Sequence, residues 1–136
     1  MKMYFLLGCL LVSASSFAQK ISEAQVPTVV KTALAQKFPN ATSVKWEMEK
    51  HNYEAGFREN NQHVSAVFDV KGNWMETETP IPASELPKAA SAYIANHYKD
   101  AKIKETARIQ HASGATNYEV EIKGKDIIFD NNGKVQ

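Results

Sequence analysis

The feature that most constrains this chain is that it says nearly the same thing twice. Val26-Pro27 and Leu86-Pro87 each open a helix-like stretch, and the stretches close on Phe38 and Tyr98, followed by Ala41 and Ala101. Tyr53-Glu54-Ala55-Gly56-Phe57 answers to Tyr118-Glu119-Val120-Glu121-Ile122, and Phe68-Asp69-Val70-Lys71-Gly72 answers to Phe129-Asp130-Asn131-Asn132-Gly133. The offsets are 60 residues for Val26 to Leu86, 65 for Tyr53 to Tyr118 and 61 for Phe68 to Phe129. Self-similarity at such a spacing is the mark of one supersecondary unit, duplicated and packed beside itself.

The ends bound the folded part. Residues 1–18 read as a secretory signal peptide: Lys2 supplies the positive start, Tyr4 to Val12 is apolar, and Ser16-Phe17-Ala18 puts small residues where a signal peptidase reads. The apolar run is shorter than the roughly 20 residues that span a bilayer. Cleavage is expected after Ala18, giving a periplasmic or secreted protein with no transmembrane segment in the mature chain. Leu6-Leu7-Gly8-Cys9 also looks like a lipobox, but only eight residues precede Cys9 and the apolar run continues past it, which favours plain secretion. Cys9 is the only cysteine, so the mature chain has no disulfide and relies on its core. Lys2 is the one charged residue in 1–18, leaving 15 Lys and Arg against 15 Asp and Glu. A neutral chain without a basic excess is not built to neutralise phosphates, which argues against a nucleic-acid partner.

Residues 19–25 read as a flexible lead-in. Val26, Val29, Val30, Ala33, Leu34 and Phe38 fall at helical spacing, with Pro27 in the first turn and Pro39-Asn40 as the stop. The period then drops to two: Val44 to Glu49, Tyr53 to Arg58, His63 to Phe68 and Trp74 to Thr79 read as strands. Asp69-Val70-Lys71-Gly72 reads as a hairpin with a three-residue loop and a left-handed glycine, which sets Phe68 opposite Trp74. Pro80-Ile81-Pro82 reads as a linker. The second half repeats the plan, with a helix from Ser84 to about Tyr98 and strands at Ile103 to Ile109, Tyr118 to Lys123 and Ile127 to Phe129. The expected architecture is therefore α+β: two tandem helix-plus-antiparallel-sheet units (α-β-β-β-β repeated), at 26–82 and 83–136, with helices on one face of the sheet.

These residues carry a resemblance. Phe38-Pro39-Asn40-Ala41, Val44-Lys45-Trp46, Tyr53 to Phe57, and Phe68-Asp69 with Gly72 and Trp74 resemble the bacterial PepSY-like family, grouped with the β-lactamase-inhibitor-like proteins. The resemblance covers 26–136. It implies an exported chain with helices against an antiparallel sheet, and a role in binding or inhibiting another protein, such as a hydrolase of the cell envelope. The second half departs from the pattern, with Thr106 where Trp46 stands in the first and Val135 where Trp74 stands.

Catalytic and metal chemistry find little footing. His51 and His63 flank a strand that sets them about 20 Å apart along the ribbon, and a zinc ion needs its ligands within about 2 Å. Asp69 and Asp130 read as turn residues, because their neighbours lack the alternating carboxylates of a calcium loop. No Gly-x-Ser-x-Gly elbow is present. The pairs Glu47 and Glu49, Glu76 and Glu78, and Glu119 and Glu121 have strand spacing and read as solvated faces rather than acid–base pairs. No cofactor is expected.

Trp46, Tyr53, Phe57, Phe68 and Trp74 are expected to line the core side of the sheet. Trp74 is read as partly uncovered, with Glu76 and Glu78 on its own side. The opposite face is expected to carry Lys45, Glu47, Arg58, Ser65, Val67 and Met75, together with Thr106, Arg108, Glu119, Glu121 and Ile128. A mix of charges and a few apolar groups suits a protein-binding surface. The reading is thus a non-enzymatic binding module for an envelope partner, using Arg58, Trp74, Met75, Arg108, Lys45 and Glu47. The alternative is a small-ligand or peptide carrier with a cleft between the two units. The oligomeric state is not fixed by the sequence.

Overall fold

The computed structural model describes residues 18–136; the signal-peptide reading of 1–18 and the lipobox at Cys9 fall, but for Ala18, outside the described residues. The elements run β1 Gln19–Ile21, α1 Thr28–Lys37, β2 Thr42–Glu49, β3 Asn52–Glu59, β4 Gln62–Phe68, β5 Trp74–Pro80, α2 Lys88–His97, β6 Ile103–His111, β7 Thr116–Ile122 and β8 Lys125–Phe129. The strands form one eight-stranded sheet in sequence order, β1-β2-β3-β4-β5-β6-β7-β8, antiparallel throughout.

This overturns the expected α+β pair of tandem units with helices on one face. The described residues form one mostly-β sheet with two short α-helices. The reason lies at β5. Its second edge would otherwise offer a row of unpaired N–H and C=O groups. Instead β6 takes that edge over five register positions, from Glu76↔His111 to Pro80↔Ala107. Pro80 sits at the strand's last position, where a missing N–H interrupts no ladder. Nor are 19–25 a loose lead-in, because Gln19–Ile21 pairs with β2, Ile21 opposite Trp46.

Both helices are built alike. The Pro27 carbonyl accepts from the Val30 and Lys31 amides at 3.0 and 3.1 Å, and the Pro87 carbonyl from Ala90 and Ser91 at the same distances. Proline caps the first turn and not its inside, so each helix starts just after it. Each ends with an amide-to-carbonyl bond of 2.8 Å, Phe38 to Leu34 and Tyr98 to Ile94.

The core comes in two clusters. Val30 and Leu34 of α1 pack with Val26, Trp46, Tyr53, Ala55, Phe57, Val64, Ala66 and Phe68. Ala90 and Ile94 of α2 pack with Leu86, Val120, Ile122, Ile127 and Phe129. Phe57, Phe68 and Phe129 are fully buried, and burying such a ring contributes about 1.5–3 kcal/mol. Between the clusters lie the buried hydroxyls Thr77 and Thr106. Trp74 donates its indole N–H to Thr77 Oγ1 at 2.9 Å, and Lys37 Nζ stands 3.7 Å from the centre of its ring.

Two hairpin tips dock on the helix starts. Asp69 Oδ1 accepts from the Lys71 and Asn73 amides, both at 2.9 Å; Asp130 Oδ1 accepts from Asn132 and Lys134 at 2.8 and 3.0 Å. The Asn73 side-chain amide, which donates to Asp69 Oδ2 at 2.9 Å, and then the backbone amides hold Asp69 below the usual carboxylate range, and the backbone bonds give both aspartates the turn role read from the sequence. Gly72 and Gly133 take φ of +83° and +84°, so close to the helices that a Cβ would stand 2.9 Å from Val29 O and 2.6 Å from Ala90 N.

Candidate functional site

Side chains alternate across a strand, so the register assigns each to a face. The face carrying the two clusters is packed. The other face is open, and its cross-strand neighbours can be read row by row. One row is Glu47–Glu54–Val67–Glu76–His111 and the next is Lys45–Gly56–Ser65–Glu78–Ile109–Asn117. A third is Ala107–Glu119–Ile128, with Glu105–Glu121–Asp126 beside it. A chain whose residues 19–136 are neutral overall has therefore sorted many of its carboxylates onto one side of a single sheet.

The electrostatics follow. Glu78 is half-buried, and burial first, then the charges of Glu119, Glu54, Glu105 and Glu76, push its pKa up to about 7. Glu54 is raised by burial and by Glu47, Glu49 and Glu76, with a hydrogen bond from Ser65 working the other way. Glu119 is raised by burial and by Asp126, Glu105, Glu121 and Glu76. Polar partners sit at the margins. Lys104 Nζ meets Glu121 Oε1 at 2.9 Å, and His111 Nδ1 lies 3.3 Å from Glu76 Oε2 while its Nε2 is 2.7 Å from Asn117 Oδ1. Among the described residues no group of three or more His, Cys, Asp or Glu converges to hold a metal ion. At the β2–β3 end of the face, Glu49, Lys50, Asn52, Glu54, Val67, Met75 and Glu76 line a hollow of about 210 Å3.

The residues expected to form a binding surface divide between the faces. Lys45, Glu47 and Arg58 are on the open face by register, and Met75 borders it in the hollow. Trp74 and Arg108 are not there. Trp74 packs against the first cluster. Arg108 stands opposite Tyr118, a neighbour of the second cluster, and reaches to 3.7 Å from Glu85; its Nε is buried without a hydrogen-bond partner. Thr106 is likewise on the packed side, opposite the buried Val120. Two bulges cause these departures. The register shift between Ile103 and Glu105 moves Thr106 and Arg108 to the packed side. The shift between Val67 and Phe68 leaves Met75 as the extra residue, so Trp74 faces the core while Glu76 and Glu78 face away. Glu54, which the sequence reading passed over, stands near the centre of the charge.

The groove over β5 on the packed side has a volume of about 350 Å3 and is lined by Lys37, Glu59, Asn60, Gln62, Thr77, Thr79 and Gln110 beside Phe38, Val64 and Trp74. That lining is mostly polar, unlike the apolar cleft a carrier of apolar ligands would need. No helix among the described residues is long and apolar enough to cross a membrane.

A family profile described as "Putative beta-lactamase-inhibitor-like, PepSY-like" matches residues 14–66 and 51–136. No curated protein matches the chain. Among solved structures it is similar to a "putative periplasmic" protein of Bacteroides eggerthii DSM 20697, at 23% identity and TM-score 0.73 over 81% of this chain and 85% of that one. A DUF2874 family protein of Bacteroides uniformis ATCC 8492 gives 23% identity and TM-score 0.71, over 80% of this chain and 85% of the other. A BLIP-like protein of Bacteroides fragilis NCTC 9343 gives 25% identity and TM-score 0.64, over 81% and 82%.

Proposed function

The chain belongs to the PepSY-like, beta-lactamase-inhibitor-like family, and from that premise we propose that it is an exported, non-enzymatic binding module that docks a protein of the periplasm or cell envelope, in the manner of an inhibitor. The observation that carries this reading is the open sheet face. Every strand from β2 to β8 contributes to it, and neither core cluster packs on it. A solvated face on an antiparallel sheet is common, but this one is chemically biased, with carboxylates around Val67, Ile109 and Ile128. Lys45, Glu47, Arg58 and Met75 border the docking surface; Trp74 and Arg108 serve the packed side. The periplasmic description of its structural relatives supports export.

The test is site-specific photo-cross-linking in the living cell. A photoreactive residue at Ser65, in the middle of the open face, is expected to give one dominant adduct. The same residue at Val29, exposed on α1, is expected to give none. Adducts of equal pattern from both sites, or none from Ser65, refute docking through this face.

A further inference from the structure

We propose that the partner enters this face with a lysine or arginine side chain, seated in the hollow over Val67 and Met75 between Glu54 and Glu76. The inference rests on the protein-docking reading above and names the chemistry of the docked surface. Three observations lead to it.

The first is size. A hollow of about 210 Å3 is below the roughly 300–1,000 Å3 that small-molecule sites occupy, and suits one side chain. The second is the lining. Val67 and the 38%-exposed Met75 offer an apolar floor, while Glu54 and Glu76 stand across strands on either side of Val67. Long cationic side chains lay their methylenes on apolar surface and hold their charge at its rim, and an unbranched thioether adapts its shape to such a stem. A bare metal ion would use no apolar floor, and although Glu49, Glu54 and Glu76 all line the hollow, no group of three or more ligating side chains among the described residues could hold one.

The third observation is charge complementarity. The hollow opens on a face crowded with carboxylates, where Glu54 is raised first by burial and then by the charges of Glu47, Glu49 and Glu76. The cationic side chains beside them are Lys50 on the lining and Lys45 in the next row of the face, and the His111 ring stands 3.3 Å from Glu76. A cation delivered by a partner relieves that crowding of charge, which speeds encounter and selects against acidic surfaces.

Tetralysine serves as the probe, added to the full chain labelled with 13C at its methionine methyls and followed by NMR. The Met75 methyl signal is expected to shift saturably, and magnesium chloride at equal ionic strength is expected to leave it in place. In Glu54→Gln/Glu76→Gln the apparent Kd is expected to rise at least about tenfold, while Glu105→Gln, away from the hollow, changes it less than about threefold; an unmoved Met48 signal certifies the fold of each variant. A Met75 signal that ignores tetralysine, answers magnesium equally, or shifts equally in the double variant overturns the proposal. The two readings separate cleanly. Cross-linking at Ser65 without tetralysine binding removes the cationic seat and leaves docking. Tetralysine binding at Met75 with no cross-linked partner removes the docking reading and overturns the proposed partner side chain with it, leaving only a hollow that binds cations.

Discussion

Replacing Glu78 by Gln should make this protein more stable at pH 8 and change little at pH 4. Burial and four neighbouring carboxylates lift the Glu78 pKa from its ordinary 4.5 to about 7. A folded-state pKa above the unfolded one means that the neutral form is favoured by folding. The stabilisation is therefore complete below about pH 4.5 and is lost as pH rises through about 7. At 1.36 kcal/mol per pH unit the full displacement corresponds to about 3 kcal/mol. Glu78 is only half-buried, so solvent screening reduces this to about 1–2 kcal/mol. Gln keeps the shape and removes the titration, so the variant should gain about that amount over wild type at pH 8. Because burial is the largest cause, most of the gain should survive 1 M salt, where the screening length is about 3 Å. Urea denaturation of both proteins at pH 4, 6 and 8 measures it. Parallel stability profiles for wild type and variant across that window would refute the reasoning, because they would mean that Glu78 titrates alike folded and unfolded.

Other perturbations have equally definite outcomes. Gly133→Ala should cost about 2 kcal/mol or more, since it adds a Cβ 2.6 Å from Ala90 N at φ +84°; Gly114→Ala, at φ +90° with nothing within 4 Å, should cost about 1 kcal/mol. Equal urea midpoints for the two would discount the docking of the hairpin tip. Phe57→Ala and Phe129→Ala, one in each cluster, should each cost about 3–5 kcal/mol and each lower one shared calorimetric transition; a split transition would show that the β5–β6 ladder does not couple the clusters. Lys37→Met should remove about 0.5–1 kcal/mol of cation–π attraction and alter Trp74 emission, and a spectrum identical to wild type would place the lysine elsewhere in solution.

Most of the strands were legible in the sequence because their alternation is local. Tyr53, Ala55 and Phe57 against Glu54, Gly56 and Arg58 mark a strand without reference to any partner, and β3 is found there, a residue longer at each end. Phe68 opposite Trp74 followed from turn geometry and is observed. What the sequence hid depends on pairing between distant segments. Nothing in Gln19-Lys20-Ile21 announces a strand until β2 lies beside it, and nothing in Pro80-Ile81-Pro82 says that β5 and β6 share a ladder. Bulges hid the rest. A single extra residue inverts alternation downstream, so Arg108 and Thr106 were assigned to the wrong face, and Glu76 and Glu78 to the side of Trp74. The acidic face escaped notice for a related reason. Its carboxylates come in pairs that look ordinary along the chain, and only the register sets Glu47 opposite Glu54 and brings Glu76 and Glu78 alongside.

The sequence-ordered sheet also bears on how the molecule comes into being. Each strand pairs with the one made just before it, and only two of the seven pairings, β1–β2 and β5–β6, reach across a helix. The rest close over short turns. Contacts this local shorten the search that usually slows β proteins. A chain fed out N-terminus first, whether from a ribosome or through a translocation channel, always presents its newest strand to an edge already formed. Assembly can keep pace with delivery, and no finished layer has to open to admit a late arrival.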